Sequence, residues 1–112
     1  MLLGKGIEHF PEEFKERFDL VTASGTWSKG HIPKSGFDDI HCAMKPNGYA
    51  VTSMRSLYWI EGEPEGYYDK VQAMIRESKF RLIHTEQFMR GYKGGEGLMA
   101  TMPCTAVVLQ KI

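Results

Sequence analysis

Phe18-Asp19-Leu20-Val21-Thr22-Ala23-Ser24-Gly25 is the stretch that decides the fold. Leu20 and Val21 are an apolar pair of β type, and Gly25 ends the run. The stretch predicts a short buried strand. Upstream, Phe10 to Arg17 reads Phe-Pro-Glu-Glu-Phe-Lys-Glu-Arg. Pro11 suits the first turn of a short helix, with Glu12 and Glu13 near its positive end. Residues 1–17 are thus a lead-in to the strand. Downstream, residues 25–36 are polar, with three Gly and one Pro. They predict a loop at the strand's C-terminal end, a place where function concentrates.

After the loop, Phe37, Ile40, His41 and Met44 recur at i, i+3, i+4 and i+7, a helical stripe of two turns. Ser35 suits its N-cap, with Asp38 and Asp39 in the first turn. Pro46-Asn47-Gly48 stops the helix and turns the chain. Tyr49 to Met54 predicts a second strand, and residues 55–66 a second long loop containing Trp59. Tyr67, Val71, Met74, Ile75 and Ser78 mark a second amphipathic helix. Phe80 to Tyr92 predicts a strand with Phe80, Leu82 and His84 on one face and Arg81, Ile83 and Thr85 on the other. Leu98 to Lys111 predicts a last strand, in which Pro103 signals an edge or a bulge. The order strand-helix-strand-helix-strand-strand implies an α/β fold with a parallel sheet and a C-terminal antiparallel hairpin. The Lys93-Gly94-Gly95-Glu96-Gly97 run is the hairpin connection.

The chain has 112 residues, enough for one small domain. Its 14 Lys+Arg balance 14 Asp+Glu, which removes the basic footprint expected of a nucleic-acid or anionic-membrane binder. No apolar run approaches the roughly 18–20 residues needed to span a bilayer. The N-terminus lacks the apolar region of a signal peptide. Cys42 and Cys104 stand far apart and match no Cys-x-x-Cys motif. They are expected as reduced, half-buried thiols of a cytoplasmic protein.

His9, His31, His41 and His84 form no metal-binding spacing, so no metal is expected. His41 continues the apolar stripe and reads as a half-buried histidine. His31 lies in the loop after the first strand, where it is either a general base or substrate contact, or a plain loop residue. Ser24 lacks the Gly-x-Ser-x-Gly context of a hydrolase nucleophile. Trp27, Tyr58, Trp59, Tyr67 and Tyr68 stand in or beside the two long loops. They suit a planar or apolar ligand, and equally a core.

Phe18-Asp19-Leu20-Val21-x-Ala23-Ser24-Gly25, then Met44-Lys45-Pro46-Asn47-Gly48-Tyr49, then Ala50 to Met54 resembles the C-terminal half of a class I S-adenosylmethionine-dependent methyltransferase. The small methyltransferase-like group named after the Williams–Beuren region is the most similar in character. In such enzymes an Asp-Leu/Val strand is the fourth of a Rossmann-like sheet. A Leu-Lys-Pro-Gly-Gly-like turn leads into the fifth, and a helix and an antiparallel hairpin complete the fold. Here Asn47 stands where Gly is usual, a mild change because Asn tolerates left-handed backbone. The resemblance covers about residues 14–112 and makes the chain one C-terminal half of such a domain, with S-adenosylmethionine as the implied cofactor. By carry-over, Ala23, Ser24 and Gly25 line the methyl-donor side. Trp27, Arg55 and Trp59 line the substrate side, and His31 is the catalytic candidate. The family's Gly-x-Gly-x-Gly loop and its ribose-binding acid have no counterpart in these residues.

Two functions follow from the resemblance: a methyltransferase in fragmentary or divergent form, or a non-catalytic methyltransferase-like subunit acting in assembly. A small molecule or a protein side chain is the expected methyl acceptor. In the family the fourth strand is internal to the sheet; here it is expected at an edge, with unpaired N–H and C=O groups. One face of the sheet is expected to be bare, although parallel sheets are normally covered on both. The chain is therefore expected to complete its sheet with another copy, another subunit or a longer parent's missing half.

Overall fold

A computed structural model describes residues 11–24, 27, 32–93 and 99–112. A 3₁₀ turn, Glu12–Phe14, leads into β1, Phe18–Ser24. Then come α1, Gly36–Ala43; β2, Met44–Arg55; a second 3₁₀ turn, Ser56–Tyr58; and α2, Tyr67–Arg76. The chain ends with β3, Phe80–Lys93, and β4, Met99–Lys111. The expected lead-in helix is thus a single 3₁₀ turn.

The four strands form one sheet in the order β1-β2-β4-β3. β1 and β2 are parallel, as a helical crossover requires. β4 runs antiparallel to both neighbours and is inserted between β2 and β3. The parallel part of the sheet is therefore confined to β1 and β2. Pro103 sits where pairing with β2 has already ended, at Arg55–Cys104. There β4 is bonded to β3 alone, on the Met89 side, so the missing proline N–H breaks no central ladder.

The core lies between one face of the sheet and the two helices. Phe37 and Ile40 of α1 and Tyr67, Val71 and Met74 of α2 pack on Ala50, Met54, Phe80, Val107 and Leu109. Each fully buried Val, Leu, Ile, Phe or Met among them contributes about 1.5–3 kcal/mol. The predicted stripe of α1 is right through half-buried His41, but Met44 begins β2 and reaches the same core from the sheet. α2 ends before Ser78, which adopts φ 60°. There Lys79 N–H bonds to Met74 C=O and Ser78 N–H to Ile75 C=O, a left-handed helix stop.

Two sequence expectations need correction. β1 is the edge strand the resemblance implies, but it is not buried: Leu20 is 57% exposed. The periodicity of β3 also breaks. A register shift between Leu82 and His84 places His84 opposite Val108, on the outer face. The extra residue, Ile83, flips the alternation. On β2 the alternation holds: Ala50, Thr52 and Met54 are buried, whereas Tyr49, Val51 and Arg55 face outward. The outer face therefore presents Leu20, Tyr49 and Val51 to solvent. The expected hairpin connection at Lys93–Gly97 lies largely outside the described residues.

Candidate functional site

The C-terminal ends of the two parallel strands define the candidate site. Ala23 is paired with Thr52 and Ser24 with Ser53, and β2 runs on to Arg55. Open α/β sheets bind ligands at this end of parallel strands. Arg55 is exposed there and half-buried Trp59 follows it. Gly25 and His31 lie outside the described residues, as does the side chain of Ser24.

Trp27 enters the core. It is 1% exposed, and its ring stacks on Phe37 with centroids 4.2 Å apart and planes 5° apart. Tyr67 meets it edge-on at 5.5 Å. Its indole N–H donates to the Thr52 hydroxyl, and Thr52 in turn donates to the Ala23 carbonyl at 2.8 Å. The loop after β1 is thus tied to both strand ends through one buried threonine. The loop's far side is held by Tyr67, whose hydroxyl donates to the Ile32 carbonyl at 2.7 Å. Gly36 is needed beside it: a Cβ there would lie 2.6 Å from the Ile32 side chain and 2.9 Å from the Trp27 ring.

The second loop is anchored in the same way. Ser56 and Thr105 share a hydroxyl hydrogen bond of 2.8 Å. Trp59 packs edge-on against Tyr68 at 5.0 Å, and Tyr58 against Tyr67 at 5.8 Å. The Gly62 amide donates to the Asp69 carboxylate. Lys70 of α2 pairs with Asp38 of α1 at 2.9 Å, clamping the two helices. Of the loop aromatics offered as ligand contacts or core, Trp27 and Tyr67 are buried; Tyr58, Trp59 and Tyr68 are half-buried. Sequence reading missed Thr52, Ser56 and Thr105. The signal for Thr52 was its place on the buried parity of β2, between Ala50 and Met54.

At the opposite end of the sheet a cavity of about 490 Å³ is lined by Glu12, Lys15, Glu16, His41, Cys42 and Lys111. Lys111 donates to the His41 and Met44 carbonyls, both at 2.9 Å, and so satisfies the C-terminus of α1. Burial holds the His41 imidazole below its ordinary pKa, aided by the charges of Lys111 and Lys79. Burial likewise pushes the Cys42 thiol up. Cys42 is half-buried, Cys104 is buried, and both are free thiols. Among the described residues no three His, Cys, Asp or Glu side chains converge on a metal position. No described helix is long and apolar enough to cross a membrane.

Half-buried Ala23 and Ser53 stand at the ends of the parallel strands.

No protein-family model and no curated protein matches this sequence. Solved structures do match in fold. The 16S rRNA (adenine(1408)-N(1))-methyltransferase of Catenulisporales acidiphilia, with S-adenosylmethionine as cosubstrate, is 14% identical; the match has a TM-score of 0.61 and covers 95% of this chain and 58% of that one. A SAM-dependent methyltransferase of Methanosarcina mazei is 12% identical, with a TM-score of 0.59, over 93% of this chain and 62% of that one. A protein of echinomycin biosynthesis, studied in the conversion of a disulfide bond into a thioacetal group, is 12% identical; its TM-score is 0.61, over 88% and 51% of the two chains. The chain spans just over half the length of these structures. Its fold is that of part of a class I S-adenosylmethionine-dependent methyltransferase.

Proposed function

We propose that this chain is the acceptor-side portion of an S-adenosylmethionine-dependent methyltransferase, acting together with a complementary segment that supplies the cofactor's glycine-rich loop. The observation that carries this reading is the sheet order β1-β2-β4-β3, with β4 inserted antiparallel, in a fold shared with methyltransferases. S-adenosylmethionine, when bound, supplies an electrophilic methyl group. Ala23, Ser24 and Gly25 at the end of β1 border it. Arg55 and Trp59 face the acceptor, and His31 receives the acceptor's proton. Trp27 contributes from below, through Thr52, which ties it to the end of β1 at Ala23. Methyl transfer depends mainly on holding nucleophile and sulfonium in line and dry, which one wall cannot do alone. The acceptor is a small molecule or a protein side chain, given the chain's zero net charge.

Two-dimensional NMR titration with S-adenosylmethionine tests the reading. Weak, millimolar-range shifts centred on Ala23–Gly25 and Arg55 are expected. Shifts confined elsewhere, or none at saturating ligand, defeat it. A second reading, a non-catalytic subunit retained for assembly, is favoured by the exposed apolar outer face and the open β1 edge, and it gains if the titration is blank.

A further inference from the structure

The outer face of the sheet is built in rows. Thr22, Val51, Val108 and His84 are register partners and form a central row. Toward the candidate site lies the row Ser53, Ala106 and Glu86. Toward the other end lies the row Leu20, Tyr49, Gln110 and Arg81. One row is small residues ending in an acid. The other is large residues ending in a base.

We propose that this face packs against the same face of a second copy of the chain, about a two-fold axis running across the strands along the central row. That axis carries each outer row onto the other row of the second copy. Tyr49 then lies over the small Ser53 of the second copy, Gln110 over its Ala106, and Arg81 over its Glu86. Val51 and Val108 meet their equivalents at the axis. Large side chains thus oppose small ones, and base opposes acid, as a self-complementary interface requires. Within one copy Arg81 and Glu86 stand two rows apart, about 13 Å, too far to pair. The neutral net charge leaves no long-range repulsion between copies.

The size is also appropriate. Four strands spaced about 4.8 Å, over seven residues of about 3.3 Å each, give a face of roughly 19 by 23 Å. Two such faces bury on the order of 900 Å² in projection alone. Side-chain relief brings this into the range of specific interfaces, about 1,200–2,000 Å². Val51 is 39% and Tyr49 43% exposed in the single chain, and stacking the sheets about 10 Å apart removes both from water. The inference goes beyond the methyltransferase reading and does not depend on cofactor binding.

Sedimentation equilibrium of the 112-residue chain, without cofactor, tests it. The expected mass is twice the 12.8 kDa of the chain. Val51→Asp should give a monomer with unchanged far-ultraviolet circular dichroism. Arg81→Glu and Glu86→Arg should each weaken the dimer by on the order of tenfold, and the double exchange should restore it. The exchange set stands even if Val51→Asp fails to fold. A monomeric wild type at roughly 100 µM, far above the Kd of a specific interface, overturns the proposal. So does an assembly indifferent to these substitutions, or a double exchange that does not restore it.

Discussion

Thr52 donates its hydroxyl to the Ala23 carbonyl at 2.8 Å while accepting the indole N–H of Trp27. One buried side chain therefore satisfies a strand-end acceptor and a core donor. Thr52→Val removes the partner of the buried Trp27 indole N–H and the hydroxyl donor to the half-buried Ala23 carbonyl. Urea denaturation should show a loss of about 1–3 kcal/mol, with Thr52→Ser recovering most of it.

Gly48 of β2 lies tight against the β1 backbone. A Cβ there would lie 2.9 Å from the Lys45 carbonyl oxygen, 3.0 Å from that of Asp19 and 3.2 Å from that of Phe18. All three are backbone atoms and cannot swing away. Gly48→Ala should lower stability by about 1–3 kcal/mol in thermal melts. The preceding Asn47, at φ 70°, carries the left-handed turn, so Asn47→Gly should be tolerated.

Ser78 holds φ 60° at the stop of α2, a position that glycine adopts without strain. Its own side chain is exposed. Ser78→Gly should raise stability by about 0.5–1 kcal/mol, measured by calorimetry. A loss would show that the hydroxyl matters more than the backbone.

Lys111 is nearly buried and its ammonium holds the carbonyls of His41 in α1 and of Met44 just after it, with Glu16 at 3.5 Å. Lys111→Met keeps the aliphatic stem and removes the donors. The His41 carbonyl keeps the Met44 N–H, so losing the buried ammonium's two hydrogen bonds should cost about 1–3 kcal/mol. Hydrogen exchange should rise in the last turn of α1 and not in α2.

His41 is half-buried against Phe80, with ring centroids 5.2 Å apart, and its pKa is lowered by burial and by the charges of Lys111 and Lys79. The unfolded chain therefore takes up this proton more readily than the folded one. The contribution of His41 is fully present above its ordinary value of about 6.5 and is lost as pH falls from there through the lower folded value. Stability should decline with acidification in that window, and His41→Gln should flatten the decline. An unchanged slope in His41→Gln would assign it to another group.

Strand and helix periods, punctuated by Gly, Pro and Asn, anticipate the element order, and the resemblance of Phe18–Gly25 and Lys45-Pro46-Asn47-Gly48 to methyltransferase motifs anticipates the partial fold. The fate of single side chains was less legible. Trp27 stands in a polar loop, yet its ring stacks on Phe37, ten positions after it. Nothing local distinguishes that from a ligand contact. The bulge at Ile83 was hidden because a strand's face is set by pairing with β4, not by its own alternation.

By itself, then, the sequence determined which segments are strands and helices, the helical crossover joining β1 to β2, the hairpin at the end, and the left-handed turn at Asn47. These depend on local backbone preference and on period. Only the tertiary structure decided that β4 lies between β2 and β3, that Thr52 joins Trp27 to Ala23, and that Lys111 closes α1. Each of these relations joins residues distant in sequence, and each is settled by packing and by the need to partner buried polar groups.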